Sequence, residues 1–338
     1  MCEPGVGLLS PWEQSRRAAS EAGNGSDSVL ATHRGQSSSR HLTACPTFTI
    51  HRIGATVILM QSSRKTPPPV AKTSAKKAAP ARVKPAPKAR KTQGESMSLS
   101  EVMHLLEKAG SEKTRKTYTR HGARGPMFGV SFGTLSALQK RIRVDHELAL
   151  ELWDTGNLDA RNLAMKIAEP AVMKPSDLDR WARENEMGMC NLYIGSLASE
   201  SPHGTAKARE WLASSDVKLR TAGWTLVGIL ANRDEATPDE AFAQRLEQIE
   251  KSIHSAPNSE KAAMNGALIA IGGRSAPLRK AACAAAKRIG KVEVDRGDTA
   301  CETPDAISHI EKMWARSQGK FPTPAAAERA RESMRTRC

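Results

Sequence analysis

The chain has 338 residues and a formal net charge of +15, so it is long enough for one large domain or two small ones. Aromatic residues make up only 4% of it while Ala and Leu are abundant, a balance that favours helices over sheets. No apolar run approaches the roughly 20 residues that a membrane-spanning helix needs. Six scattered cysteines without a CxxC pair argue against a disulfide framework, and we expect a cytoplasmic protein.

Residues 1–59 show no sustained helical or strand period and mix Gly, Ser, Arg and Cys without order. Two interpretations remain open. The segment is disordered, or it is an upstream extension from a wrongly chosen start codon, with Met60 or Met97 as the true beginning. We favour the second interpretation.

Residues 60–96 form a basic segment rich in Pro, Ala and Lys, with ten Lys or Arg and no acid between Arg64 and Lys91. Such a segment cannot bury enough apolar area to offset its ordering entropy, which predicts a disordered linker. Its charge can attract nucleic acid by releasing counterions, or it can serve only to keep the chain soluble.

From residue 97 to residue 338 the pattern is helical. Ser98 and Glu101 form a capping-box pattern before an apolar run. Ser111 starts a second predicted helix, and Ser131 or Thr134 starts a third. The later predicted helices cover about 145–154, 157–168, 176–186, 187–199, 203–213, 216–231, 238–254, 258–272, 275–290, 304–317 and 324–335.

Helices of this length joined by short loops favour antiparallel hairpins, and stacked hairpins form a solenoid with one concave face. A compact bundle is the alternative. Only the segment VEVD at 292–295 alternates as a strand would, and it is too short to build a sheet. The sequence therefore predicts one all-α domain over residues 97–338.

Four segments, taken in order, resemble the AlkD-like DNA alkylation repair family. They are GPMFGVSFGTLSALQKRI, ALELWDTGNLDARNLAMKIAEP, DLDRWARENEMGMCNLYIGSL and DVKLRTAGWTLVGILA. The likeness covers about residues 98–290. It implies a HEAT-like solenoid with a concave basic face, and alkylpurine DNA glycosylase chemistry, in which a carboxylate stabilises the cationic sugar and an Arg holds a phosphate.

The chain departs from that family's site pattern. The resemblance places Met187 and Asn191 where the family has a Trp and, four residues later, its catalytic Asp. Asn is nearly the shape of Asp but carries no charge, and Met lacks an aromatic face. A second family Trp corresponds to Gly266, and only the phosphate-binding Arg is retained, as Arg220.

Further candidates come from the residues themselves. Trp224 lies four residues after Arg220 and is either a stacking platform or a core residue. Lys116 and Arg120 belong to a basic cluster that is either a DNA-backbone patch or a solvated helix face. Asp154 is a second candidate carboxylate if the protein is an enzyme.

Two nearby features have mainly structural interpretations. The spacing of Asp159 and Arg161 allows a structural salt bridge between them, and the resemblance implies that these residues hold adjacent hairpins together. The acidic loop 293–305 does not have the spacing of an EF-hand, and Thr303 is expected to cap the helix that begins at Pro304. No metal or cofactor is predicted.

Three functions remain open at this point. The first is a DNA-binding protein of the alkylation repair family with weak or absent glycosylase activity, contacting double-stranded DNA through its phosphates as a monomer. The second is an active DNA N-glycosylase that uses another carboxylate to remove alkylated purines. The third is a helical-repeat scaffold for protein partners.

Overall fold

A computed structural model describes residues 94–317 and Arg335. Within those residues the regular structure is helical and contains no strand: thirteen α-helices and two 3-10 turns, Pro170–Val172 and Gly188–Cys190. Numbered in chain order, the α-helices are α1 (Leu99–Lys108), α2 (Glu112–Arg120), α3 (Phe132–Ile142), α4 (His146–Asp154), α5 (Leu158–Ile167), α6 (Pro175–Glu184), α7 (Asn191–Glu200), α8 (Gly204–Leu212), α9 (Val217–Arg233), α10 (Asp239–Ser252), α11 (Asn258–Gly272), α12 (Ala276–Ile289) and α13 (Ala306–Arg316). The predicted segments 1–59 and 60–93 and the predicted helix 324–335 lie outside the described residues, apart from Arg335.

The first three helices begin where their caps predict. The Glu101 N–H donates to Ser98 Oγ, and the Ser98 N–H donates to the Glu101 carboxylate, which completes the capping box. Ser111 caps α2, and Ser131 rather than Thr134 caps α3.

The predicted cap at Thr303 is wrong. Asp305 caps α13, because its carboxylate accepts the Ser308 N–H at 2.8 Å, and the helix begins at Ala306. This hydrogen bond lowers the pKa of Asp305, as expected for an anion at the positive end of a helix.

Consecutive helices pair into hairpins, and the second members of the pairs form a continuous layer. In that layer α5 packs on α7, α7 on α9, α9 on α11 and α11 on α13, while α4, α6, α8, α10 and α12 pair with them from the other side. This order is that of a stacked-hairpin solenoid and not of a compact bundle.

Gly195 shows how closely the layer packs. A Cβ built on it would lie 3.0 Å from Ile229 Cδ1 and 3.2 Å from Thr225 Cγ2, so α7 approaches α9 over this glycine. Its role is therefore in helix packing. No helix in the described part of the chain is long and apolar enough to cross a membrane.

The salt bridge that the spacing of Asp159 and Arg161 allows does not form. Asp159 instead accepts the backbone N–H groups of residues 128–130, which fastens the α2–α3 loop to α5. Arg161 pairs with Glu184 at 2.9 Å and so ties α5 to the end of α6. The expected role of both residues in joining hairpins holds, but each has a different partner because neighbours in sequence diverge across a helix surface.

Candidate functional site

The helices α7, α9 and α11 begin at a common edge of the stack, where several loops meet. The Arg124 N–H in the α2–α3 loop donates to the Glu186 carbonyl just before α7, and Lys218 at the start of α9 pairs with the Glu186 carboxylate. Asp295 in the α12–α13 loop hydrogen-bonds Asn258 at the start of α11. We call this surface the amino edge and define it as residues 120–124, 184–191, 214–220, 257–260 and 295–296.

Positive charge from distant parts of the chain gathers at the amino edge. The pKa of His121 is lowered first by burial and then by the charges of Arg120 and Arg296, so both charges lie near this ring. Arg120 and Arg124 are exposed. Within residues 94–317, no acid forms a salt bridge with Arg120, Arg124 or Arg296.

Of the five acids on the same surface, four are paired with cations, one of them Glu184 with Arg161, and Asp295 forms no salt bridge within residues 94–317. Glu186 pairs with Lys218, Glu260 with Arg220, and Asp216 lies 3.8 Å from Arg183. Since four of the five acids are compensated, three unpaired arginines against one unpaired Asp leave the amino edge with an excess of positive charge.

Lys116 lies one helical turn before Arg120 and extends the basic surface along α2. Its side chain is 77% exposed, and its ammonium is 3.9 Å from the Glu112 carboxylate, a distance too long for a hydrogen bond. The same carboxylate hydrogen-bonds Arg115. Lys116 is therefore only weakly neutralised, and its contact with DNA stays a prediction.

Asn191 is the first residue of α7 and is half-buried at the amino edge. The predicted helix 187–199 begins too early, since the α-helix starts only at Asn191. Met187 precedes the 3-10 turn Gly188–Cys190, which offsets it from α7, and it is 2% exposed. Met187 therefore presents no surface for a nucleic acid in this structure.

Gly266 lies exposed on α11, and a Cβ built on it would meet no atom within 4 Å. The layer is thus open where the related proteins are expected to carry an aromatic ring. With Asn191 and Gly266 in place, neither of these two positions supplies a carboxylate or a ring face.

Arg220 is mostly engaged within the protein. Its Nε and Nη2 donate to Glu260 at 3.0 and 2.9 Å, and its Nη1 donates to the carbonyls of Ser214 and Ser215. A guanidinium has five N–H donors, so one on Nη2 remains for an outside acceptor. The predicted phosphate contact therefore rests on that single donor.

Trp224 is a core residue. It is 4% exposed, and its Nε1 donates to Glu260 at 3.4 Å. The stacking-platform alternative is wrong for this structure, because neither ring face is open to a base. Burial of the ring instead holds Glu260 in position for Arg220.

Asp154 lies at the end of α4, where its carboxylate pairs with Arg180 at 2.6 Å. Its side chain is 60% exposed, next to the buried Trp153, which stacks on Trp181 with 4.3 Å between ring centroids. A charge neutralised by a neighbouring Arg in open solvent is poorly placed to stabilise a cation.

Three contributors to this surface escape prediction from the sequence: Asn185, Glu260 and Arg296. Arg296 belongs to the loop 293–305, in which acidic residues outnumber it and dominate the local pattern. Only folding brings this residue beside His121. In the described part of the chain, no three His, Cys, Asp or Glu side chains are grouped to hold a metal ion.

The fold and surface define an all-α protein of stacked helical hairpins with a basic edge. Residues 102–310, more than half of the chain, match the model of the family described as DNA alkylation repair enzyme, and the chain belongs to that family. It is an AlkD-like member, as the resemblance in the sequence indicates.

Two relatives and one solved structure illustrate the similarity. An uncharacterised protein of Listeria innocua is 29% identical over 214 residues, which are 61% of this chain and 93% of the relative. One of Listeria monocytogenes is 28% identical over 220 residues, 63% and 96% of the two chains. The solved structure belongs to a family related to the HEAT-like repeat DNA glycosylases with affinity for branched DNA. It has a TM-score of 0.61 and 35% identity, covering 66% of this chain and 97% of its own.

Proposed function

We propose that this protein binds DNA through the phosphate backbone, with the amino edge as the contact surface, and does not excise alkylated bases. The observation that carries the proposal is a set of three arginines left without acidic partners in the described residues. Arg120 and Arg296, from opposite ends of the helical stack, both lie near His121, and Arg124 is exposed in the same loop as His121. Such a surface suits a polyanion and reads no base sequence by itself.

The similar solved structure supports a specific form of substrate. Because that protein belongs to a family with affinity for branched DNA, we propose that this chain also prefers junctions to linear duplexes. A junction presents phosphates from several arms at once, and an extended basic edge can contact more of them than it can on a single helix.

The lack of base excision follows from the chemistry of the site. Asn191 stands where the family's carboxylate is expected, and a neutral amide cannot stabilise the positive charge that develops on the sugar. Asp154, the remaining candidate, is neutralised by Arg180.

A titration of the full chain with labelled four-way junction and linear duplex, at several salt concentrations, tests the binding. We expect tighter binding to the junction. We also expect Arg120→Ala and Arg296→Ala each to reduce the slope of log affinity against log salt by about 0.9 for each phosphate that the variant no longer neutralises. Lys140→Ala is the matched control, because Lys140 is exposed in the last turn of α3, away from the α2–α3 loop.

Equal effects of the control and the edge variants would show that binding does not use the amino edge. The same preparation incubated with alkylated DNA should release no base above background. Release that disappears in Asp154→Asn would establish the glycosylase alternative.

A further inference from the structure

Two asparagine amides form a fixed pair at the amino edge. Asn185 follows the end of α6 and is buried, while Asn191 starts α7. The Met187 N–H donates to Asn185 Oδ1 at 3.1 Å, and Asn185 Nδ2 donates to Asn191 Oδ1 at 2.7 Å.

The backbone determines how both amides are oriented. A backbone N–H can only donate, so the atom of Asn185 that meets Met187 must be its oxygen. The other end of the Asn185 amide is then its NH2 group, which can only donate, so the Asn191 atom facing it must also be an oxygen. Asn191 therefore directs its NH2 group away from the pair.

That NH2 group is available to a ligand. Asn191 is half-buried, and the side-chain nitrogen has no hydrogen-bond partner in residues 94–317 or Arg335 and is not among the buried polar atoms left unpaired. It offers up to two N–H donors beside the loop that carries Arg124, whose backbone bonds the neighbouring Glu186.

We infer that Asn185 is a positioning residue that aims the Asn191 amide at a DNA phosphate oxygen. This inference rests on the proposed function. A phosphate oxygen fits because it only accepts hydrogen bonds and because the unpaired arginines of the amino edge attract the same anion.

The arrangement also explains how one residue changes the character of the site. A carboxylate at position 191 would accept the same bond from Asn185 and direct its second oxygen outward. Asn185 would then orient a hydrogen-bond acceptor outward, and an acceptor suits a cation. With Asn the outward atoms are donors, which select an anion.

Two substitutions separate this role from simple support of the loop. Asn185→Asp keeps an oxygen for the Met187 N–H but presents a second oxygen to Asn191, whose amide must then rotate and direct its oxygen toward the DNA. Asn191→Asp presents a carboxylate directly. We expect each to weaken junction binding at least tenfold, because each removes one charge-assisted hydrogen bond and adds a negative charge beside the phosphates.

The decisive measurement is a double-mutant cycle on the full chain with the four-way junction. In an Asn191→Ala background, Asn185→Asp should cause a smaller loss of affinity than in the wild type, because only its added charge then acts and the group it orients is absent. Thermal unfolding of each variant checks the fold. If Asn185→Asp does not fold, Asn191→Ala alone tests the contact, because it removes only the end of a half-buried side chain. We expect this variant to bind the junction about tenfold more weakly than the wild type.

Equal losses from Asn185→Asp with and without Asn191, or full affinity in Asn191→Ala, would overturn the inference. Failure of the wild-type chain to bind junction or duplex would instead overturn the proposed function. If the wild type binds the junction and only the arginine substitutions weaken that binding, the amino edge is supported as the contact surface and the Asn191 contact is ruled out.

Discussion

Asp159 shows how much one buried side chain contributes to this fold. Its residue is fully buried, and its two oxygens accept three N–H groups, from Phe128 at 2.7 Å, Gly129 at 2.9 Å and Val130 at 3.0 Å. We expect Asp159→Asn to lower the free energy of unfolding by about 2–4 kcal/mol, because an amide has only one acceptor oxygen and leaves a buried N–H unpaired. Urea denaturation measures the loss, and an unchanged transition midpoint would contradict it.

The same residue gives a pH dependence with a definite sign. Burial raises the pKa of Asp159 above its ordinary value of 3.8, against three backbone N–H donors that lower it. The folded state then holds this proton more tightly than the unfolded state, so the stability it contributes is largest below pH 3.8 and is lost as the pH rises through the folded-state pKa.

We therefore expect the difference in unfolding free energy between wild type and Asp159→Asn to shrink as the pH rises above 3.8 and then to level off. Urea denaturation of both proteins at several pH values above 3.8 measures this difference. The variant is the reference for the wild type, because it lacks the titrating carboxyl group. A difference that grows with pH would show that the three N–H donors outweigh burial.

At the scale of elements, Arg274 joins two successive hairpins. It lies in the turn between α11 and α12 and reaches the α9–α10 connection. There its guanidinium donates to the carbonyls of Ala231, Asp234 and Thr237 and to the carboxylate of Asp239, all within 3.0 Å.

We expect Arg274→Lys to lower the free energy of unfolding by about 2–3 kcal/mol, because a point-like ammonium cannot reach four acceptors spread around a planar fork. Arg279→Lys is the matched control. Arg279 pairs with Glu311 and lies over the Trp314 ring at a solvent-accessible site, where solvent screens the ion pair, so the loss should be clearly smaller than at Arg274. Chemical denaturation of both variants gives the comparison, and similar losses would remove Arg274 from its joining role.

Elements differ in how far the sequence predicts them. Helix starts such as Ser98 and Ser131 are predicted because a cap depends on residues within one turn. The partners that join Asp159, Arg161 and Arg220 to other hairpins are not predicted, since only folding brings those partners near. The offset of Met187 from α7 escapes prediction for another reason, because 3-10 turns are frequent at the ends of α-helices and the sequence does not separate the two.

For the candidate surface, the sequence predicts the residue types better than their exposure. The substitution at Asn191 and the open position at Gly266 follow from the resemblance, and the structure places both at the surface. The burial of Trp224 does not follow, because an amphipathic spacing fits a core face as well as a binding face. Asn185 has no local signal at all, since its role depends on which way its amide points.

At the scale of the whole molecule, Arg335 fastens the far end of the chain to the middle of the stack. It is 3% exposed and donates to the carbonyls of Met165, Lys166 and Ala168 at the end of α5. It also pairs with Glu200 at the end of α7, and its own carbonyl accepts the Lys166 ammonium at 2.9 Å. Arg335 thus supplies donors to helix-terminal carbonyls that have no partner within α5.

We expect Arg335→Ala to lower the free energy of unfolding by about 3–5 kcal/mol, because it removes one partner of a buried ion pair and leaves three buried carbonyls unpaired. The melting temperature should fall by about 6–20 °C, at roughly 2–4 °C per kcal/mol for a domain of this size. Arg316→Ala is the control, since Arg316 is exposed at the end of α13 and should change stability by less than about 0.5 kcal/mol. Equal melting temperatures for the two variants would show that the chain end is released in solution, and the buried contacts of Arg335 would then not contribute to the stability of the stack.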